Sequence, residues 1–252
     1  MYFSKITLKQ DIEKAKLFQI LCPDEYKVHQ HLWTFFGLNT DKKRDFLYRR
    51  DETSKWPQFY MLSPERPQDD SGMWKIMSKD FNPQLSIGQH LSFSLVANPI
   101  VSRTTGEFRK TDKSEIRPKT NTKHEKIKRD DIIWLAKKKL KSEGKNYQND
   151  IYLGKLIQEE GRKWLQTKSP KKGFEVKDVI ADNYRQIQFF KKGFSHPIKI
   201  STLRFTGVLS VVDPELFILE NFKKINRETS IYEAGIGPAK AFGCGLMLIK
   251  KV

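Results

Sequence analysis

The order of strand-like and helix-like segments predicts an α+β chain of two tandem ferredoxin-like (RRM-like) βαββαβ units. Three observations predict it. The chain opens on a short strand followed by an amphipathic helix. Its last third runs through a long hairpin, a short helix and a closing strand. Between the halves, residues 109–129 carry nine Lys or Arg against three acids and no aromatic residue, the composition of a linker or an inserted loop. The expected division is therefore a first unit at 1–108, the basic stretch at 109–129 and a second unit at 130–252.

Each element has a local reason. Residues 2–8, YFSKITL, alternate as a half-buried strand does. In PDEYKVHQHLWTFFG, Asp24 suits the cap, Glu25 the first turn and Gly37 the stop. Val28, Leu32, Phe35 and Phe36 recur at helical spacing and form a face for a sheet. RDFLYRRD and QFYMLS read as a hairpin, and strands at about 74–80 and 90–99 complete the first half. The stretch at 130–144 has acids at its start, lysines toward its end and Gly144 as its stop, matching a helix dipole. A second helix at 151–167 is expected to be less regular because Gly161 interrupts it. FEVKDVIA and YRQIQFF lead through KKG into IKISTLRFTGVLSVVD, a long hairpin with Lys191 and Lys192 at its tip. Asp213 and Pro214 then open a short helix.

The segment before the closing strand, GIGPAKAFGCG, holds glycines at 235, 237, 243 and 245 around Lys240. Its exposed amides suit an anion such as phosphate, or the loop is a tight connection into an edge strand. Composition narrows the partner. With 47 Lys and Arg against 30 acids the formal charge is +17, which points to nucleic acid. The apolar fraction of 38% is enough for real cores. No apolar run is long enough to span a membrane and no secretory leader is visible, so a cytoplasmic protein with no membrane partner is expected. Cys22 and Cys244 lack ligand spacing and read as reduced thiols.

Among five histidines, position selects one. His29 and His31 flank opposite edges of the helix's apolar face, and Tyr26 and Trp33 lie on the His29 side. His29 alone has an aromatic hydroxyl one turn away. No nucleotide-binding loop, metalloprotease helix, serine elbow or paired-aspartate metal site is present, so nucleic-acid chemistry here is expected to need neither metal nor cofactor.

Four segments in order carry a resemblance: YxxHxxLW at Tyr26, His29, Leu32 and Trp33; FSLVANPI at 93–100; FTGVLSVVDPE at 205–215; and GIGPAKAFGCGLM at 235–247. Together they resemble the CasE family, the CRISPR-associated endoribonucleases of the type I-E Cascade complex. Residues 145–172 do not align. The resemblance implies a pair of ferredoxin-like domains that bind the stem-loop of a CRISPR repeat and cut precursor RNA at the base of the stem, alongside other Cascade subunits. The family's histidine falls on His29, its tyrosine on Tyr26, and its basic RNA-binding hairpin near Arg185, Lys191 and Lys192. A non-catalytic RNA-hairpin-binding subunit of the same fold stays open as an alternative.

Overall fold

In a computed structural model the chain is described over residues 1–9, 25–37, 44–51, 56–108, 125–145, 150–190, 197–225 and 232–252. The first sheet combines β1 (Tyr2–Leu8), β2 (Leu47–Arg50), β3 (Gln58–Ser63) and β4 (Trp74–Asp80) in the order β2–β3–β1–β4. All neighbours are antiparallel, with β1 and β3 central as a βαββαβ plan requires. Helix α1 (Glu25–Trp33) runs into a 3₁₀ turn at Thr34–Phe36. It buries Val28, Leu32 and Phe35 against Ile6, Phe59, Met61 and Trp74, the face its spacing predicts. The second helix of the plan is replaced by a connection between β3 and β4 that Asp69 pins. Its carboxylate accepts from the Ser71 amide at 3.0 Å and the Trp74 amide at 2.7 Å.

The second sheet takes β5 (His90–Ala97), β8 (Phe174–Phe189), β9 (Ile198–Val211) and β10 (Met247–Lys251) in the order β10–β5–β9–β8. Its neighbours are again antiparallel, and the first and third strands of the unit are again central. Helices α2 (Ile132–Ser142) and α3 (Asp150–Lys168) form its first crossover, and α4 (Pro214–Ile218), continued by a π turn at Leu219–Lys223, its second. Asp131 caps α2 and Asp213 caps α4 by accepting from the Trp134 and Leu216 amides at 2.7 and 2.9 Å.

Two expectations change. The strand at 90–97 opens the second unit instead of closing the first, so the boundary falls between Asp80 and His90 and not at 108. Alternation reveals which face of a strand is buried but not which strand it pairs with. For the basic stretch, expected as a linker or an inserted loop, the flanking strands support the inserted loop. Its last residues belong to β7 (Glu125–Asp131), which pairs with β6 (Ile100–Phe108) as an insertion inside the second unit; residues 109–124 lie outside the described residues. Gly161 does not interrupt α3. A Cβ there would stand 2.6 Å from Ala181 Cβ and 2.9 Å from Leu203 Cδ2, so the glycine lets the helix lie close on β8 and β9.

The two units share a core. Leu47 and Leu62 of the first sheet pack into the same buried cluster as Phe93, Phe205, Phe217 and Ile236 of the second. The Phe81 and Phe222 rings meet at 5.0 Å between centroids. Among the described residues no helix is long and apolar enough to cross a membrane.

Candidate active site at the junction of the two units

His29 stands at the edge of the apolar face of α1, half-buried, where the first unit meets the glycine loop of the second. Its ring is stacked over Tyr48 at 6.3 Å and lies 6.2 Å from Phe46 and 6.4 Å from Phe242. Trp33, one turn along α1, donates its indole N–H to His29 Nε2 at 3.1 Å. A nitrogen that accepts carries no proton, so the neutral ring holds its proton on Nδ1. That Nδ1 is buried with no hydrogen-bond partner among the described residues. Burial first, and then the Arg44 guanidinium, lower the imidazole pKa from 6.5 to about 4. The ring is therefore neutral at physiological pH.

Arg44 is the cation of this junction. It donates to the Phe46 carbonyl at 2.6 Å and to the Tyr232 carbonyl at 3.2 Å, so one side chain fastens the start of β2 to the segment entering the glycine loop. Tyr48 makes a second tie, donating from its hydroxyl to the Ala241 carbonyl at 3.0 Å. Phe242, the aromatic residue of that loop, reaches beyond His29 to Phe189 at the end of β8, with centroids 4.6 Å apart. The imidazole and the tip end of the β8–β9 hairpin thus meet through one phenyl ring.

The glycine loop is a brace more than an open cradle of amides. The Gly235 amide donates to Glu220, Ile236 to Gly245, Phe242 to Ala239 and Gly245 to Val96, all at 2.8–3.1 Å. Gly235 has φ +94°, and a Cβ there would stand 2.7 Å from the Gly245 carbonyl oxygen. Lys172 holds the same turn from behind, donating to the Glu220 carboxylate and carbonyl at 3.0 Å and the Gly235 carbonyl at 3.1 Å. Lys240 turns its ammonium onto the Glu233 carbonyl. Burial, aided by Lys172 and Arg44, brings its pKa down to about 8.

The other expected residues are placed as follows. Tyr26 lies on the first turn of α1, and its side chain is outside the described residues. Lys191 and Lys192 also lie outside them. Arg185 is exposed on β8, its Nε donating to Asn183 Oδ1 at 2.9 Å. His31 accepts from the Trp74 indole at 2.9 Å and completes the first unit's core boundary. Sequence reasoning missed Arg44, Phe46, Tyr48 and Phe242 around His29, and Phe189 beyond Phe242. A cation two residues before the apolar run FLY was visible, but one of the two carbonyls it holds lies 188 residues away.

Two ferredoxin-like sheets joined through a shared core, with a neutral histidine at the seam, define the architecture of the chain. It belongs to the family described as CRISPR associated protein, which matches residues 1–251. It is 28% identical over 250 residues to the CRISPR system Cascade subunit CasE of Escherichia coli (strain K12), covering 98% of each chain. The crystal structure of the CRISPR-associated protein Cas6e from Escherichia coli str. K-12 superposes with a TM-score of 0.60 at 24% identity, covering all of both chains. Thermus thermophilus Cse3, bound to an RNA representing a pre-cleavage complex, superposes with a TM-score of 0.60 at 19% identity, over 99% of this chain and 98% of that one.

Proposed function

We propose that this chain is a cytoplasmic, metal-independent endoribonuclease that binds the stem-loop of a CRISPR repeat, cuts precursor RNA at the base of the stem and works with other Cascade subunits. The observation that carries the reading is the neutral imidazole of His29, set where the basic hairpin of one unit meets the helix of the other. RNA brings its own nucleophile, the 2′-hydroxyl beside the scissile phosphate. A neutral imidazole can take that proton as the oxygen attacks phosphorus. The P–O5′ bond then breaks and O5′ takes a proton from water while the imidazolium returns its own to solvent, leaving a 2′,3′-cyclic phosphate and a 5′-hydroxyl. Tyr26, three residues before His29 in the sequence, orients the reacting groups. Arg185, Lys191 and Lys192 along the hairpin hold the stem by its phosphates, because the narrow major groove of A-form RNA hides its base edges. Lys240 and Arg44 supply positive potential behind the loop.

The test is the chemistry of the ends. A labelled repeat hairpin incubated in excess chelator yields cyclic phosphate and 5′-hydroxyl products. His29→Ala lowers the cleavage rate about 10²–10⁴-fold, the range of general acid–base assistance, with affinity for the hairpin retained. A non-catalytic RNA-hairpin-binding subunit gives no cyclic phosphate, and a variant that cuts at the wild-type rate removes His29 from the mechanism.

A further inference from the structure

A groove of about 580 Å³ lies beside the junction, between the β6–β7 insertion, the start of α2 and the stem of the β8–β9 hairpin. It has the size of a small-ligand site. One wall is Trp134, whose indole is 43% exposed, with the Lys128 and Lys138 ammonium groups 5.9 and 5.3 Å from its ring. The opposite wall is the polar face of the hairpin, where Gln186 pairs with Ser201 and Gln188 with Lys199. At the floor, Asn98 is 6% exposed and its Oδ1 has no hydrogen-bond partner among the described residues. Of the groove's two acids, each has at least one carboxylate oxygen engaged. Asp130 is paired with Arg103 and Lys128, and Asp131 caps α2 through Oδ1, its buried Oδ2 keeping no hydrogen-bond partner among the described residues.

We infer that this groove receives one unpaired nucleobase from the RNA strand flanking the bound stem, stacked on Trp134 with its exocyclic amine donating to Asn98. An exposed tryptophan flanked by lysines is a stacking platform for a base on an anionic backbone. A buried acceptor without a partner costs free energy until a donor arrives, so a base carrying an amine, such as adenine, fits the floor better than uracil. Gln188 immediately precedes Phe189, whose ring touches Phe242 beside His29, so a strand leaving the cut site passes the groove within a few residues' span.

This inference rests on the RNA-hairpin reading, and one experiment separates their failures. Affinities are measured at fixed salt for a repeat hairpin with adenosine flanks on both sides, the same hairpin with purine riboside flanks, and the hairpin trimmed to its stem. Wild type holds the adenosine-flanked RNA about 5- to 150-fold more tightly than the trimmed one, the range of one stacked base. Purine riboside flanks lose part of that gain, Trp134→Ala loses most of it, and Trp134→Phe keeps most of it. The inference is overturned if wild type shows no gain from the flanks or if the gain survives Trp134→Ala. Equal weakening of flanked and trimmed hairpins by Trp134→Ala also overturns it, as does a variant that alters only assembly with protein partners. If wild type fails to hold the trimmed hairpin itself, the RNA-hairpin reading fails instead.

Discussion

At the scale of single residues, the proposed base is closed on both sides before RNA arrives. His29 Nε2 is occupied by the Trp33 indole, and Nδ1 is buried. A 2′-hydroxyl can use Nε2 only by taking the place of Trp33, which makes the indole a positioning residue that holds the tautomer and is then exchanged. The pH dependence follows from this geometry. A general base must be unprotonated, so activity falls as pH drops through its pKa. The acid limb of kcat/KM, which reports free enzyme, should lie near pH 4, well below an ordinary histidine. In kcat the limb should move up, because a bound phosphate offsets Arg44 and favours the imidazolium. Trp33→Phe removes a hydrogen bond made only to the neutral ring and should also raise the kcat/KM limb. A wild-type kcat/KM limb at pH 6.5 or above would contradict the buried, neutral imidazole.

At the scale of elements, periodic signals were legible and distant ones were not. The apolar face of α1, the caps of α2 and α4, and the long β8–β9 hairpin were all readable because each depends on residues within a turn or two. The pairing of β5 with β9 was hidden, since nothing in HLSFSLVA distinguishes one antiparallel neighbour from another. His29 could be singled out through Tyr26 and Trp33 on its own helix. Its contact with Phe242 depends on how the two sheets close, which no local pattern encodes. Gly161 shows the same limit, because propensity predicts a weakness where packing requires a close approach. Gly161→Ala gains about 1 kcal/mol of helix propensity. It also forces a methyl to within 2.6 Å of Ala181 and 2.9 Å of Leu203, an overpacking that typically costs about 1–3 kcal/mol. The second effect wins, so denaturant unfolding should show a net loss of stability, and a stabilised variant would mean that α3 sits farther from the sheet.

At the scale of the whole molecule, the seam between the sheets is both the site and a large part of what joins the units. Leu47 and Leu62 contribute to the second unit's core, and Arg44 and Tyr48 tie β2 to the carbonyls around the glycine loop. Separately folding units would let that seam open without unfolding and would scatter His29 from Phe242 and the hairpin. The shared core instead predicts one cooperative transition, with the tryptophan fluorescence of the first unit and the far-ultraviolet dichroism of both units changing at the same denaturant concentration. Arg44→Met tests what the seam does beyond stability. It leaves the Phe46 and Tyr232 carbonyls without their donor, a loss of about 1–3 kcal/mol for buried polar groups. It also removes the charge that helps keep His29 neutral. The variant should unfold at lower denaturant, still in a single step, and its kcat/KM acid limb should shift upward together with a fall in cleavage rate. Two separated transitions in the wild type would show that the units fold independently, and an unmoved acid limb in a destabilised Arg44→Met would confine that arginine to holding the sheets together.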